Sequence, residues 1–354
     1  MDHIVFHNDV DGMVSAALFQ GNSSENFNYQ NSCIHPVNST MRGETLDRIL
    51  SKIPPEEKVA ILDFQFSKRA DIWIDHHYDN ALGSDPIKND HMIYDPMAKS
   101  SAHIIGEQYG IDACELIQTV DMIDSASYPD PKFIFESDHP LMILRAYLET
   151  VFPSDMMYSR IVEVLSLCSC DVGKAIKKLG IDYQSVKNIK NIALKISKDV
   201  LKFGVCSVVN QTRQCQFPRY SEYFILKDVE YAIRISISGP HQKYVQIGHN
   251  RWCGKQSKIN VGEFLRNLSY CRGGGHFSVG AGIIKNEYEE KFLDDVDLNF
   301  NREDGMEKYG VDKEDTVEKR AQELVKTGVD IHEARKQSQK EMEERKNVGS
   351  EGKL

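Results

Sequence analysis

His7, Asp9 and Asp11 stand at alternate positions just after the apolar run Ile4-Val5-Phe6, and Gly12 closes the group. Asp63 follows a second apolar run, Val59-Ala60-Ile61-Leu62, and Asp75-His76-His77 completes a third that includes Ile72-Trp73-Ile74. Carboxylates suit Mg2+ and Mn2+, and imidazoles among them move the choice towards Mn2+, with Co2+ or Mg2+ as substitutes. Taken singly, Asp63 would be a helix N-cap, His7 a strand-end histidine and Asp75-His76-His77 a polar turn. Three apolar runs that end in the same chemistry point elsewhere. A pair of divalent cations sharing one carboxylate, best Asp63, would suit this set, with the ions roughly 3.5–4 Å apart.

Such side chains need a scaffold that brings strand ends together. Short apolar runs alternating with helical segments predict an α/β fold whose N-terminal domain carries a parallel sheet. Ligands of such sheets lie beyond the carboxyl ends of the strands, where all three groups fall. Helical patterning dominates from about residue 101 to 203. Within it, Val186, Ile189, Ile192, Ile196 and Val200 give an amphipathic spacing over 184–203, read as a connector. Strand patterning then returns, including Tyr223–Leu226, and a short helix over 261–270 leads into Arg272-Gly273-Gly274-Gly275-His276. The expected organisation is a catalytic domain over 1–183, the connector over 184–203, a smaller α/β domain over 204–293 and a charge-dense tail over 294–354. The tail reads as a solvated helix, from about 316 to 346, or a partly disordered extension.

These motifs resemble the DHH-family phosphoesterases that carry a C-terminal DHHA1 domain. The resemblance rests on His7-x-Asp9-x-Asp11-Gly12, Asp63, Asp75-His76-His77 and Arg272-Gly-Gly-Gly-His276, in order, across most of the chain. It implies that His7, Asp9 and Asp63 hold one Mn2+, and that Asp11, Asp63, His76 and a later aspartate hold the other. The later aspartate is Asp124, favoured because it begins an Asp-Ser pair, or Asp121. Asp75 would orient a neighbouring ligand, and His77 would face the scissile phosphate as electrostatic stabiliser or general acid. Arg272, Gly273, Gly274, Gly275 and His276 would grip a substrate phosphate through charge and side-chain-free backbone.

The His-x-Asp-x-Asp spacing argues against an inorganic pyrophosphatase. The expected activity is Mn2+-dependent hydrolysis of phosphoester bonds in short oligonucleotides or small nucleotides. A RecJ-like single-strand exonuclease, a cyclic-dinucleotide phosphodiesterase and an exopolyphosphatase stay open, as does a catalytically silent nucleotide sensor. Net charge is −10 over 354 residues, which speaks against a generally basic nucleic-acid binder. Arg251, Lys255, Lys258 and Arg272 are the local cations expected near substrate. Gly248 to Ser257 fails as a P-loop, since its glycines are wrongly spaced and Gln256 splits the Lys-Ser pair. No apolar run reaches membrane-spanning length and no signal segment is seen, so the expectation is a cytoplasmic protein without a membrane partner. Eight cysteines without a CxxC pair agree with a reducing compartment. A homodimer, and a partner protein for the tail, stay open.

Overall fold

The three apolar runs are buried on both faces, as strands of a parallel sheet with helices on either side must be. The computed structural model describes residues 2–22, 32–37, 44–77, 91–111, 113–151, 153–196, 200–211, 218–275 and 277–301. The chain forms two units, one of Met1–Lys198 with Phe217–Ile225, the other of Asp199–Gln216 with Leu226–Leu354.

The first unit opens with β1 (His3–His7), α1 (Val10–Asn22), β2 (Cys33–Val37), α2 (Glu44–Leu50), β3 (Val59–Leu62), β4 (Ile72–Asp75) and β5 (Met92–Tyr94). Its strands make one parallel sheet in the order β2-β1-β3-β4-β5. Helices follow: α3 (Ser101–Tyr109), α4 (Cys114–Asp124), α5 (Pro131–Glu136), α6 (Pro140–Val151), α7 (Asp155–Leu167), α8 (Val172–Leu179) and α9 (Gln184–Ile196). The return segment adds α10 (Ser221–Ile225).

α1 is buried from Val10 to Gln20 because it meets β1 on one side and α3, α4 and α7 on others. Gly12 makes that seat possible. A Cβ there would lie 2.0 Å from the carbonyl oxygen of His7, so only glycine lets the helix start this close to the strand.

Two expectations change here. The supposed connector is a helix only to Ile196, and it packs on α5 and α6 with Val186, Ile189 and Ala193 wholly buried. Its apolar stripe belongs to the core of the first unit, and Val200–Phe203 is a strand of the second. Tyr223–Leu226, expected as a strand, falls largely in α10, where Phe224 meets Phe135 at 4.8 Å between ring centroids. A short apolar run of this kind fits either helix or strand by pattern alone.

The second unit contains β6 (Val200–Phe203), β7 (Cys206–Gln211), β8 (Tyr231–Gly239), β9 (Gln242–His249), α11 (Val261–Asn267), β10 (Cys271–Gly275), β11 (Val279–Lys285) and α12 (Glu289–Val296). The sheet runs β10-β11-β9-β8-β7-β6, antiparallel except for the parallel pair β7 and β8. Its core joins Tyr231, Ile233, Val245, Ile247 and Phe264 to Phe292, Val296 and Phe300. The tail therefore begins later than expected: Val296 and Phe300, past residue 293, belong to this core at helical spacing. Residues 302–354, including the helix expected over 316–346, lie outside the described residues. Among the described residues no helix is long and apolar enough to cross a membrane.

Candidate metal centre

The three acidic groups converge at the carboxyl ends of β1, β3 and β4. His7 ends β1, and its Nδ1 lies 2.8 Å from Asp9 Oδ2 and 3.6 Å from Asp63 Oδ2. His76 Nε2 lies 3.3 Å from Asp124 Oδ2 and 3.7 Å from both Asp11 Oδ2 and Asp63 Oδ1. His77 Nδ1 sits 2.9 Å from Asp75 Oδ1 and 3.4 Å from Asp63 Oδ1. Donor atoms thus gather in three overlapping sets: His7, Asp9 and Asp63; Asp11, His76 and Asp124; Asp63, His76 and His77. Asp63 joins two of them. Its backbone takes the left-handed conformation, φ 55°, which costs strain for a residue with a side chain.

Donors fix Asp9, Asp11, Asp63 and Asp75. Gly12 N–H donates to Asp9 Oδ1 at 3.0 Å. Asp11 sits at the start of α3, where Ser101 N–H and Ala102 N–H donate to its two oxygens at 2.7 and 2.9 Å. It thereby satisfies helix N–H groups that have no partner within the helix. Ser101 Oγ donates to Asp63 Oδ1 at 3.0 Å. The buried Asp75 carboxylate accepts from the backbone N–H groups of His76 and His77 and lies against the His77 ring. The Ala98 carbonyl lies 3.2 Å from His76 Nδ1, which leaves Nε2 turned towards the carboxylates.

Burial raises the Asp11 carboxyl well above its usual range, aided by the charges of Asp63, Asp124 and Asp9. Burial and the charges of Asp63 and Asp9 push Asp124 up to about 8. Burial would raise Asp63 too, but contacts with His7 and His77 hold it well below. Burial pulls the imidazoles down, yet the Asp9 charge and Asp63 contacts carry His7 to about 10, and contacts with Asp63 and Asp75 carry His77 to about 12. Divalent cations fit this set on a further ground. Asp63 Oδ2 and His76 Nε2 are buried and have no hydrogen-bond partner among the described residues. Buried polar atoms normally find one.

Asp124, the last residue of α4, reaches His76, whereas Asp121 does not join the donor sets. Asp121 instead accepts from Ser100 Oγ at 2.6 Å and lies 2.9 Å from His103 Nδ1. Ser100, Ser101 and His103 were not singled out from sequence. The signal was present, since a serine before an apolar helical run is an N-cap, but nothing in it shows what else the hydroxyls touch.

In the second unit, Arg272 to Gly275 form most of edge strand β10. Gly275 has φ 142°, and α11 packs against the strand so tightly that a Cβ on Gly262 would lie 2.2 Å from Gly275 O. His276 lies outside the described residues. Lys255 is paired with the buried carboxylate of Glu230.

No family model and no curated protein matches the sequence. Solved structures do. The pGpG-specific phosphodiesterase PggH of Vibrio cholerae superposes with a TM-score of 0.60 at 17% identity, over 83% of this chain and 97% of that one. RecJ of Thermus thermophilus, in complex with Mn2+, gives a TM-score of 0.50 at 13% identity, over 82% of this chain and 50% of RecJ. The chain has the fold of the DHH phosphoesterases. The fold implied by the motifs is thus the fold found.

Proposed function

We propose that the chain is a divalent-metal-dependent phosphodiesterase of the DHH family, acting on short oligonucleotides or small nucleotides, with Mn2+ as the preferred ion. The observation that carries this reading is that the buried Asp63 Oδ2 and His76 Nε2 have no hydrogen-bond partner among the described residues, inside a cage of carboxylates. His7, Asp9 and Asp63 would hold one ion, and Asp11, Asp63, His76 and Asp124 the other. When bound, two such ions raise the acidity of a water and neutralise charge on the phosphoryl group. His77, held cationic by Asp75 and Asp63, would face the phosphate and stabilise the charge that builds there.

In the second unit, read as a DHHA1 domain, Arg272, the backbone of Gly273 to Gly275, and His276 would bind the nucleotide end. The fold shared with a pGpG phosphodiesterase supports a linear dinucleotide as the first substrate to try. Eight cysteines without a CxxC pair support a reducing, cytoplasmic setting.

The test is release of p-nitrophenol from bis-p-nitrophenyl phosphate, then a panel of dinucleotides, pentanucleotides, cyclic dinucleotides and 50-mer single strands. Turnover that needs Mn2+, stops on chelation and returns with the ion is expected, with two- to five-mers preferred over the 50-mer. No turnover of any substrate with Mn2+, Co2+ or Mg2+ would sink the reading in favour of a nucleotide sensor. Processive loss of the 50-mer would turn it towards an exonuclease.

A further inference from the structure

The segment from Ala98 to His103 touches three of the proposed ligands at once. The Ala98 carbonyl lies at His76 Nδ1, Ser101 Oγ bonds Asp63, and the N–H groups of Ser101 and Ala102 bond Asp11. Where this segment stands therefore decides where three ligands stand. What fixes the segment is Asp121, from the neighbouring helix α4. One of its oxygens accepts from Ser100 Oγ at 2.6 Å, and that same Oγ accepts from His103 N–H at 3.1 Å, capping α3. The other oxygen lies 2.9 Å from His103 Nδ1, one turn into α3. The carboxylate is buried, with 6% exposure, as is Ser100. It thus grips the cap and the first turn of α3 together, one residue away from the groups that aim Asp11 and Asp63.

We infer that Asp121 is a positioning residue for the metal centre: it holds Ser100 and His103 so that the Ala98–His103 segment presents Asp11, Asp63 and His76 at the spacing two cations require. The inference rests on the metal-dependent reading above and adds a residue outside the ligand set. Helix α3 supplies the leverage. Asp11 accepts from two successive N–H groups of its first turn, so a tilt or fray of that turn displaces both contacts together. Partners one step behind the ligands typically cost 10–100-fold in metal affinity when removed.

The experiment measures Mn2+ binding directly, by the electron paramagnetic resonance signal of free Mn2+ titrated against the full chain, with thermal melts alongside. Asp121→Leu keeps the branched heavy-atom shape and deletes both acceptors; binding about tenfold weaker is expected. Asp121→Asn keeps an acceptor for Ser100 and places an N–H donor opposite His103, so affinity close to wild type is expected from it. A residue that merely supports folding would lower the melting temperature and leave the affinity of the folded protein unchanged. Ser100→Ala should weaken binding as Asp121→Leu does. The double variant should lose little more than either alone, since both act along one path. If Asp121→Leu fails to fold, the Ser100→Ala and Asp121→Asn pair carries the same test. Wild-type affinity in both Asp121→Leu and Ser100→Ala would overturn the inference. Failure of the wild-type protein to bind Mn2+ would instead overturn the metal reading on which it stands.

Discussion

The two sheets end in opposite kinds of chemistry. At the carboxyl ends of β1, β3 and β4, side chains do everything: carboxylates and imidazoles face one another, and the buried Asp11 and Asp63 are held by donors from Ser101 and Ala102. On β10 there is almost no side chain at all. Gly273, Gly274 and Gly275 leave bare backbone at a sheet edge, and Arg272 is the only charged residue of the strand. The first arrangement gathers like charges that demand cations. The second lets backbone pack on backbone, since a Cβ on Gly273 would lie 2.8 Å from Ala281 O, and its edge is where we propose that a nucleotide end binds. Damage to the first should therefore appear as lost turnover and altered metal binding, and damage to the second as weakened substrate binding.

The largest break should come from Asp63. Asp63→Ala removes a carboxylate common to two donor sets, so kcat is expected to fall about a thousandfold or more, equivalent to ~4 kcal/mol in the barrier. Steady-state assays with saturating Mn2+ check this, and appreciable retained turnover would remove the shared-ligand arrangement.

Gly12→Ala tests the seat of the site rather than its chemistry. The new Cβ meets backbone at 2.0 Å, so α1 must move and about 3 kcal/mol of stability should be lost, measured by urea unfolding. A loss under about 0.5 kcal/mol would mean that the strand-to-helix turn relaxes freely.

Proton counting sharpens the picture of like charges. Asp124 near 8 and His7 near 10 both keep protons at neutral pH, and cations must displace them. Between pH 7 and 9 Asp124 ionises by itself while His7 stays protonated. Titration calorimetry in buffers of different ionisation enthalpy should thus find roughly one fewer proton released per protein at pH 9 than at pH 7. Equal release at both would show that Asp124 does not hold a proton in the metal-free protein.

On the glycine strand, Gly274→Ala is the discriminating change. Its Cβ would find the flexible Arg266 side chain nearest, at 3.4 Å, so stability should shift by no more than about 0.5 kcal/mol. KM for a dinucleotide should nonetheless rise more than KM for bis-p-nitrophenyl phosphate. Equal effects on the two would take the glycine strand out of nucleotide binding. Smallest of all should be truncation after Asn301. It retains the Asn301 side chain that accepts from Val205 N–H, and the rate should stay within about twofold of wild type, an energy near 0.4 kcal/mol. A large loss of kcat in the folded protein would assign the tail a part in the site.

Much of the first region was legible because acids and histidines at apolar strand ends announce themselves. His7, Asp9, Asp11, Asp63, His76 and His77 needed only residue type and the rule that parallel strands present their carboxyl ends together. The choice between Asp121 and Asp124 was legible only through the Asp-Ser pair, which favours Asp124. The two lie three residues apart on one helix, and which of them faces His76 depends on how α4 packs. Ser100 and Ser101 were hidden for a related reason, since capping serines are common and their second contacts are tertiary. The connector was misread because an amphipathic stripe states that a helix has a buried side and does not say against what. Phe292, Val296 and Phe300, spaced by four, did carry a sign that the second core runs past residue 293, obscured by the acidic residues between them.

The return of residues 217–225 to the first unit has a practical consequence for dissection. A fragment ending at Lys198 would hold every proposed metal ligand yet lack α10. Phe135 would lose its ring partner Phe224, and Tyr128 would lose Tyr220, which meets it edge-on at 5.7 Å. Fresh aromatic surface invites self-association of such a piece. A single scissile point cannot separate these halves. A self-sufficient metal-binding half would have to be sewn from two stretches, with residues 217–225 rejoined to the end of α9 by a short artificial linker.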